Sequence, residues 1–554
     1  MERIVKNQLK NVKILHKIFI YILFGILWSF SQVGYSFSFL TWFTFIPYLF
    51  LVKYEDYKFG FIYSLIFGIS AYLFHLWWLP FPLATIFSLG IKSIIIKFFF
   101  LILSAVIYIL ICFYHGLMYA FAFLITKYIS KHNTKLFYIS MPLIITVLDY
   151  FYPKLFQDQI GYSQYLFFHF SQIADLFGVP GITFLIMCCN SAVIIFVESY
   201  FFKKKLNFSI TIFIIVILVV IGASLYGFFR YKYIQKISNN TKTAKVGIIQ
   251  GNYSGIDKLK NFNDDYIEND IISEYNYMSK SLLKDNPDLI IWPETIIPEK
   301  NINTVKYNDI KTFNDVYLLS GIHLSEINKK NKEYLVYNSA VLISDKGEKI
   351  NQYSKIKLLP FVERFPFFLS NKILNSLGFI EFSKGKENKI FEVNDIKIAP
   401  NICYEIIIPS FIRKSMNINK KEANLIVNIT NDSWFGKTLE PKMHLRMAGI
   451  RAIENRKTLI RATCTGYSAV FNPAGDEIYK LELFVKDKIV KDVPLLEINT
   501  VYRQFGWLFI WFLLAGLVFI VIFVYFRKIS FKFYKSRLIK KRIHSRNLYR
   551  FWRD

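Results

Sequence analysis

Cysteine is scarce in this 554-residue chain: five in all, Cys112, Cys188, Cys189, Cys403 and Cys464. So low a density excludes a disulfide-stapled scaffold. None of the five stands in a C-x-x-C or similar metal-ligand spacing, so no metal or cofactor is expected. Acidic residues are also short, 40 against 68 Lys and Arg, for a formal charge of +28. Most of that basic charge sits in short loops and tails beside apolar runs, which suits a membrane protein and argues against a nucleic-acid partner. Charge is nearly missing from the apolar runs themselves. Asp149, His75 and His115 are the exceptions, and the two histidines read as packed or interfacial. A transporter needs ionisable groups along its path, so that class is disfavoured.

What the chain does have is apolar length: 54% hydrophobic and 18% aromatic residues. A bilayer core takes about 20 apolar residues as a helix. Stretches near 14–31, 36–52, 59–80, 94–126, 137–152, 179–200 and 207–229 qualify, and an eighth runs over about 505–526. The first has a basic start (Arg3, Lys6, Lys10, Lys13, Lys17) and no small-residue cleavage site after it, so it reads as a retained anchor. Lys53 and Lys58, then Lys127, Lys131 and Lys135, then Lys203–Lys205 fill alternate loops, whereas SQVGYSFSF and LPFPLATIFSLG carry no positive charge. Positive charge favours the cytoplasmic side. The expected topology therefore has both termini in the cytoplasm and residues 240–500 outside. The basic tail, RKISFKFYKSRLIKKRIHSR, reads as an anchor to anionic lipid.

Between about 240 and 500, charged residues, turns and short apolar runs alternate as in a globular α/β domain. The clearest strand signals are 243–252, 288–294, 315–324, 333–345, 396–405 and 423–432, with helices near 266–284, 405–416 and 440–456. Three strand ends carry reactive side chains: Glu294 in LIIWPE, Lys355 in YSKIKLLPF and Cys403 in IAPNICYE. Each alone is unremarkable. Together they form an acyl-transfer set, because a thiol needs a base to become a nucleophile and the tetrahedral oxyanion needs a cation or N–H. The only histidines of the insert, His323 and His444, have no Cys-partner context, which disfavours a papain-like pair.

The insert resembles a nitrilase-superfamily domain, and the chain as a whole resembles the apolipoprotein N-acyltransferase family. The motifs run in order: QIGYSQ (159–164), GVPGITFL (178–185), VGIIQGN, WPET, YNSA (337–340), YSKIKLLPFVERFP (353–366), ICYEIIIP (402–409), NDSWFG (431–436), PKMHLRMAGIRAIENR (441–456) and TVYRQFG (500–506). The resemblance implies a membrane domain of about eight helices with an inserted αββα sandwich: helices 1–7 in residues 1–235, the catalytic domain over 240–498, helix 8 over 503–527 and a basic tail over 528–554. It assigns Glu294 as general base, Lys355 as oxyanion stabiliser and Cys403 as nucleophile, with Glu363, Tyr404, Glu405 and Trp434 supporting. For Trp434 a packing role stays equally open. Lys357 is a weaker rival for the lysine role.

The same resemblance implies a phospholipid acyl donor, a diacylated apolipoprotein acceptor and a monomer in the bacterial inner membrane with a periplasmic catalytic domain. The alternative is a membrane-tethered amidase acting on a soluble amide. Val362 stands where the family has glycine, Met443 where it has glutamine and Leu259 near a usual tryptophan, while Cys464 is read as a spectator thiol. The apolar segment 364–382 reads as a lid dipping into the lipid interface, with core packing as the other reading.

Overall fold

A computed structural model describes residues 12–88, 91, 93–132, 136–201, 206–253, 265–301, 315–328, 332–360, 362–364 and 381–551, with residues 51, 132, 265–269, 300, 301 and 531–551 described as backbone only. The lid segment 365–380, Leu259, the first eleven residues, Lys135 and Lys203–Lys205 lie outside the described residues.

The apolar stretches fold as helices α1 (Ile14–Phe30), α2 (Phe45–Tyr54), α3 (Tyr57–His75), α4 (Pro80–Phe87), α5 (Ile94–His132), α6 (Leu136–Phe151), α7 (Ala174–Phe201) and α8 (Leu206–Asn239). Among the described residues, five helices are long and apolar enough to cross a membrane, counting the one after the catalytic domain. α1 and α6 are shorter apolar helices of 17 and 16 residues. The expected span at 36–52 is not one helix. A 3₁₀ turn at Ser38–Trp42 precedes α2, which at 10 residues covers only about 15 Å. The pair still returns the chain to the end where it began, because Lys17 in α1 pairs with Glu55 at 2.6 Å. The stretch expected to be a loop after α3 contains α4 instead, with prolines admitted in its first turn. Helix α7 is bent where Gly178 takes a φ of +66° beside Tyr502, a conformation that glycine adopts without a Cβ clash.

The catalytic domain is two stacked sheets. Its strands are β1 (Thr243–Gln250), β2 (Leu289–Ile291), β3 (Ile297–Asn301), β4 (Tyr317–Ile327), β5 (Tyr334–Ile343), β6 (Lys349–Ser354), β7 (Phe391–Val393), β8 (Ile396–Ile402), the small hairpin β9 (Asn417–Ile418) and β10 (Lys421–Glu422), β11 (Leu425–Thr430), β12 (Thr458–Thr463), β13 (Ala469–Phe471), β14 (Glu477–Lys480) and β15 (Asp487–Pro494). One sheet runs β15-β1-β2-β4-β5-β6, with β3 on β4, and the other runs β14-β13-β12-β11-β8-β7. Each has a parallel centre (β1-β2-β4; β8-β11-β12) and antiparallel flanks. Alternation sorts the core. Val246, Ile248, Leu289 and Leu342 join the cluster that includes the second sheet. Ile249, Ile290, Val341 and Ile343 pack with Tyr275 and Met278 of α9 (Asp265–Leu282) on the other face.

The second sheet is covered by α10 (Pro409–Ser415) and α11 (Glu440–Asn455). Nearly all of α11 is buried, because the membrane helices cover its far side. Arg446 donates to the carbonyls of Val33 and Tyr35 at 2.7 Å. Arg451 donates to Tyr162 at 2.6 Å. At the helix end, Arg456 reaches Asp175 and Gln172. The Val33–Tyr35 turn is at the opposite end of α1 from the Lys17–Glu55 pair, so the catalytic domain sits away from the lysine-rich end of the bundle. The chain then leaves through α12 (Phe509–Phe551), a single helix that continues into the basic tail.

Met443 is fully buried and its side chain packs on Gly34, so its departure from the family pattern lies at this junction and away from the chemistry. A Cβ at Gly34 would stand 2.6 Å from Leu439 Cγ and 2.7 Å from Met443 Cγ. Gly34→Val is therefore expected to cost about 1–3 kcal/mol through overpacking. Thermal denaturation of the detergent-solubilised protein, read as a lowered midpoint, checks this.

Candidate active site

Three strand ends converge. Glu294 follows β2, Lys355 follows β6 and Cys403 follows β8. Sheet ends are where backbone hydrogen bonding stops and side chains become free to do chemistry. Cys403 begins a 3₁₀ turn, Cys403–Ile407, with a φ of +50°. Thr295, directly after the glutamate, has a φ of +54°. A β-branched residue rarely adopts this conformation, and such strain gathers at functional sites.

Lys355 is fully buried and lies 2.7 Å from Glu363 and 3.9 Å from Glu294. Asn338, in the YNSA segment, donates to Glu294 at 2.7 Å and reaches Glu363 at 3.5 Å. The second oxygen of Glu363 accepts from the Leu359 N–H at 2.7 Å. Glu363 is thus fixed by backbone and lysine together, while Glu294 keeps an oxygen for the thiol side. Lys357 is exposed, and only its backbone N–H faces the site, so the geometry favours Lys355.

Electrostatics follow from this packing. Burial pushes the Glu294 carboxyl up to about 7, with Lys355 pulling it down and Glu363 raising it. Burial also raises the Cys403 thiol well above its ordinary value. Glu294 adds to that rise and Lys355 opposes it. Lys355 is raised despite burial, because Glu363, Cys403 and Glu294 surround it, and it stays an ammonium. The resting pair that suits this arrangement is a thiol beside a carboxylate, with proton transfer as the thiol attacks.

Of the supporting residues, Glu405 takes no part in the proton chemistry. One of its oxygens accepts from Tyr353 OH at 2.6 Å and from the N–H groups of Ile356 and Lys357 at 2.8 and 2.9 Å, and the other accepts from Ile402 N–H at 2.8 Å. It ties the loop carrying Lys355 to the turn carrying Cys403. The Tyr404 side chain turns toward Gln157 of the membrane domain. Trp434 is half-buried, and its neighbour Phe435 packs edge-on against Trp78 after α3. The His323 ring packs at a tilt against Phe382. Cys464 is buried and donates to the Glu294 carbonyl at 3.4 Å. Sequence reading passed over Asn338, Asn428 and Gln157. Asn428 donates to the Cys403 carbonyl at 3.3 Å.

Comparison with known proteins places the chain as a whole. Residues 246–503 match the carbon-nitrogen hydrolase family, and residues 24–192 match the apolipoprotein N-acyltransferase N-terminal domain. The apolipoprotein N-acyltransferase of Geobacter metallireducens is 27% identical over 522 residues, covering 92% of this chain and 95% of that protein. That of Wigglesworthia glossinidia brevipalpis is 29% identical, covering 81% and 85%. Apolipoprotein N-acyltransferase 1 of Treponema denticola is 27% identical, covering 88% and 92%. Among solved structures, Saccharomyces cerevisiae Nit3 of the nitrilase superfamily matches 46% of this chain and 90% of its own at 17% identity, with a TM-score of 0.34. The fold is that of a nitrilase-superfamily domain joined to apolar membrane helices. The chain belongs to the apolipoprotein N-acyltransferase family, and it is an acyltransferase.

The charge pattern fixes a pH dependence. The group raised to about 7 is an acid that must be deprotonated to act as base, so protonation on the acid side removes activity. Cys403 acylation should fall roughly tenfold per unit below pH 6 and level off above pH 8. Single-turnover acylation rates across pH 5–9 check this, and in Glu294→Gln the acid limb should vanish together with most of the rate.

Proposed function

We propose that Cys403 takes an acyl chain from a membrane phospholipid and passes it to the N-terminal amine of a diacylglyceryl-cysteine on an apolipoprotein. In the first half the Cys403 sulfur attacks the ester carbonyl and its proton goes to Glu294. The C–S bond forms, the ester C–O bond breaks, and the departing lysophospholipid oxygen takes the proton back from Glu294. In the second half the amine attacks the thioester, a C–N bond forms and the C–S bond breaks. The amine's proton passes through Glu294 to the sulfur, restoring the thiol. Lys355 and the Tyr404 N–H are assigned to the oxyanion in both halves. Glu363 holds Lys355, and Glu405 and Trp434 support the site.

The observation that carries this reading is the convergence of Glu294, Lys355 and Cys403 in a domain planted on membrane helices through α11. The charge pattern of the loops supports a cytoplasmic location for both termini, and with it a periplasmic catalytic domain in a bacterial inner membrane. The reading takes residues 1–235 and 503–527 as membrane units, 240–498 as the catalytic domain and 528–554 as the cytoplasmic tail, in a monomer. A membrane-tethered amidase is not favoured, since the N-terminal residues match the acyltransferase family's own membrane domain.

Purified protein incubated with phospholipid carrying a labelled acyl chain should form a hydroxylamine-sensitive acyl thioester. Adding a diacylated lipopeptide should discharge it into a triacylated product. Cys403→Ala should form neither. An unchanged product yield in that variant, or transfer to water alone, would overturn the reading.

A further inference from the structure

Near its start α12 leans on α6, where Trp511 packs edge-on against Phe151. Further along it leaves an open groove of about 500 Å³ against α5. Leu124, Ile125 and Tyr128 of α5 face Leu517, Val521 and Ile522 of α12 across it. Every one of these side chains is hydrocarbon except for the Tyr128 hydroxyl. Val518 and Ile522, on the outer lip, are about half exposed, so the groove opens sideways from the bundle.

One end of the groove is positively charged. The Lys528 ammonium stands 6.0 Å from the centre of the Tyr128 ring, and Arg527 is exposed beside it. Neither α5 nor α12 contains an aspartate or glutamate. The acids nearby on other helices are already paired: Glu55 with Lys17 and Glu198 with Lys53, each at 2.6 Å. Among the described residues, then, nothing balances the charge at this mouth. Lys127, one residue before Tyr128, donates to the Lys53 and Glu55 carbonyls, so the mouth lies at the end of the bundle away from the catalytic domain.

Depth and chemistry select the occupant. From Phe509 to Lys528 the helix rises about 29 Å, the thickness of a bilayer's hydrocarbon core, so Lys528 stands where lipid headgroups begin. The groove lining lies about 9–16 Å deeper along α12, level with the first half of an acyl chain. An apolar groove on membrane helices takes hydrocarbon, because water in it would have no partners. A free anion has no use for the groove, and a zwitterionic lipid brings its own cation to a mouth that already has two. We propose that α5 and α12 form a discrete site for one anionic phospholipid, its chain in the groove and its phosphate against Arg527 and Lys528. Nothing in this depends on the acyl-transfer reading, since a lipid held here is at the far end of the bundle from Cys403.

The test uses the full-length chain with Cys403→Ala, so that no acyl chain is consumed, in phosphatidylcholine nanodiscs. Two photoactivatable probes with a diazirine midway along one chain are compared at equal mole fraction, one with a phosphatidylglycerol head and one with a phosphatidylcholine head. Labelling of peptides spanning 124–128 and 517–522 is read by mass spectrometry against that of α8, whose Ile214 and Leu218 face outward. On this scale the glycerol probe should label the groove at least tenfold more than the choline probe. Each cation contributes about fivefold, so an Arg527→Gln and Lys528→Gln double variant should lose that preference. Val521→Trp, which fills the groove, should lose the labelling itself. Equal labelling by the two probes, a preference that survives in the double variant, or undiminished groove labelling in Val521→Trp would overturn the proposal.

Discussion

Arginine side chains on one buried helix hold the catalytic domain against the membrane helices. Arg446, Arg451 and the capping Arg456 of α11 donate to carbonyls, a tyrosine hydroxyl and an aspartate of the membrane domain, all away from bulk water. A guanidinium in such a place is tolerable only when its N–H groups are met, and the planar fork of arginine meets several partners at once. Loss of one partner leaves a buried charge exposed to its full desolvation cost. The junction is therefore specific in register as well as strong. It brings the 431–436 turn and the Cys403 turn close to the loop that carries Gln157.

The site itself is built on charge balance under burial. Lys355 stays charged because three groups that carry or develop negative charge face it, and Glu294 is raised because burial outweighs its lysine. In the proposed reaction the same ammonium would face the carboxylate at rest and the oxyanion in the intermediate. This is preorganisation in the electrostatic sense, since no dipole need turn as the reaction proceeds.

Much of this was legible in the sequence, where local pattern and local structure agree. β4, β5, β8 and β11 and the helices α9 and α11 lie where alternation and apolar periodicity put them. A central strand of the second sheet, β12, was missed. TLIRAT (458–463) carries Arg461 and two threonines, all fully buried, and buried polar residues erase the alternation on which a strand assignment rests. The broken helix at 38–54 was missed because an apolar run says nothing about where the backbone bends. The reactive groups were readable as residue types at strand ends, but the partners were not. Asn338 and Asn428 act through side-chain amide hydrogen bonds across strands, a relation with no signature in spacing.

The four hydrogen bonds of Glu405 have a mechanical consequence. They weld the loop that carries Lys355 to the turn that carries Cys403, so nucleophile and ammonium form one fixed jaw. In the proposed reaction the backbone beneath the acylated sulfur would stay where it is, and only the side chain could turn. Both lipids would then come to nearly the same point in space, the second into the footprint that the first has vacated.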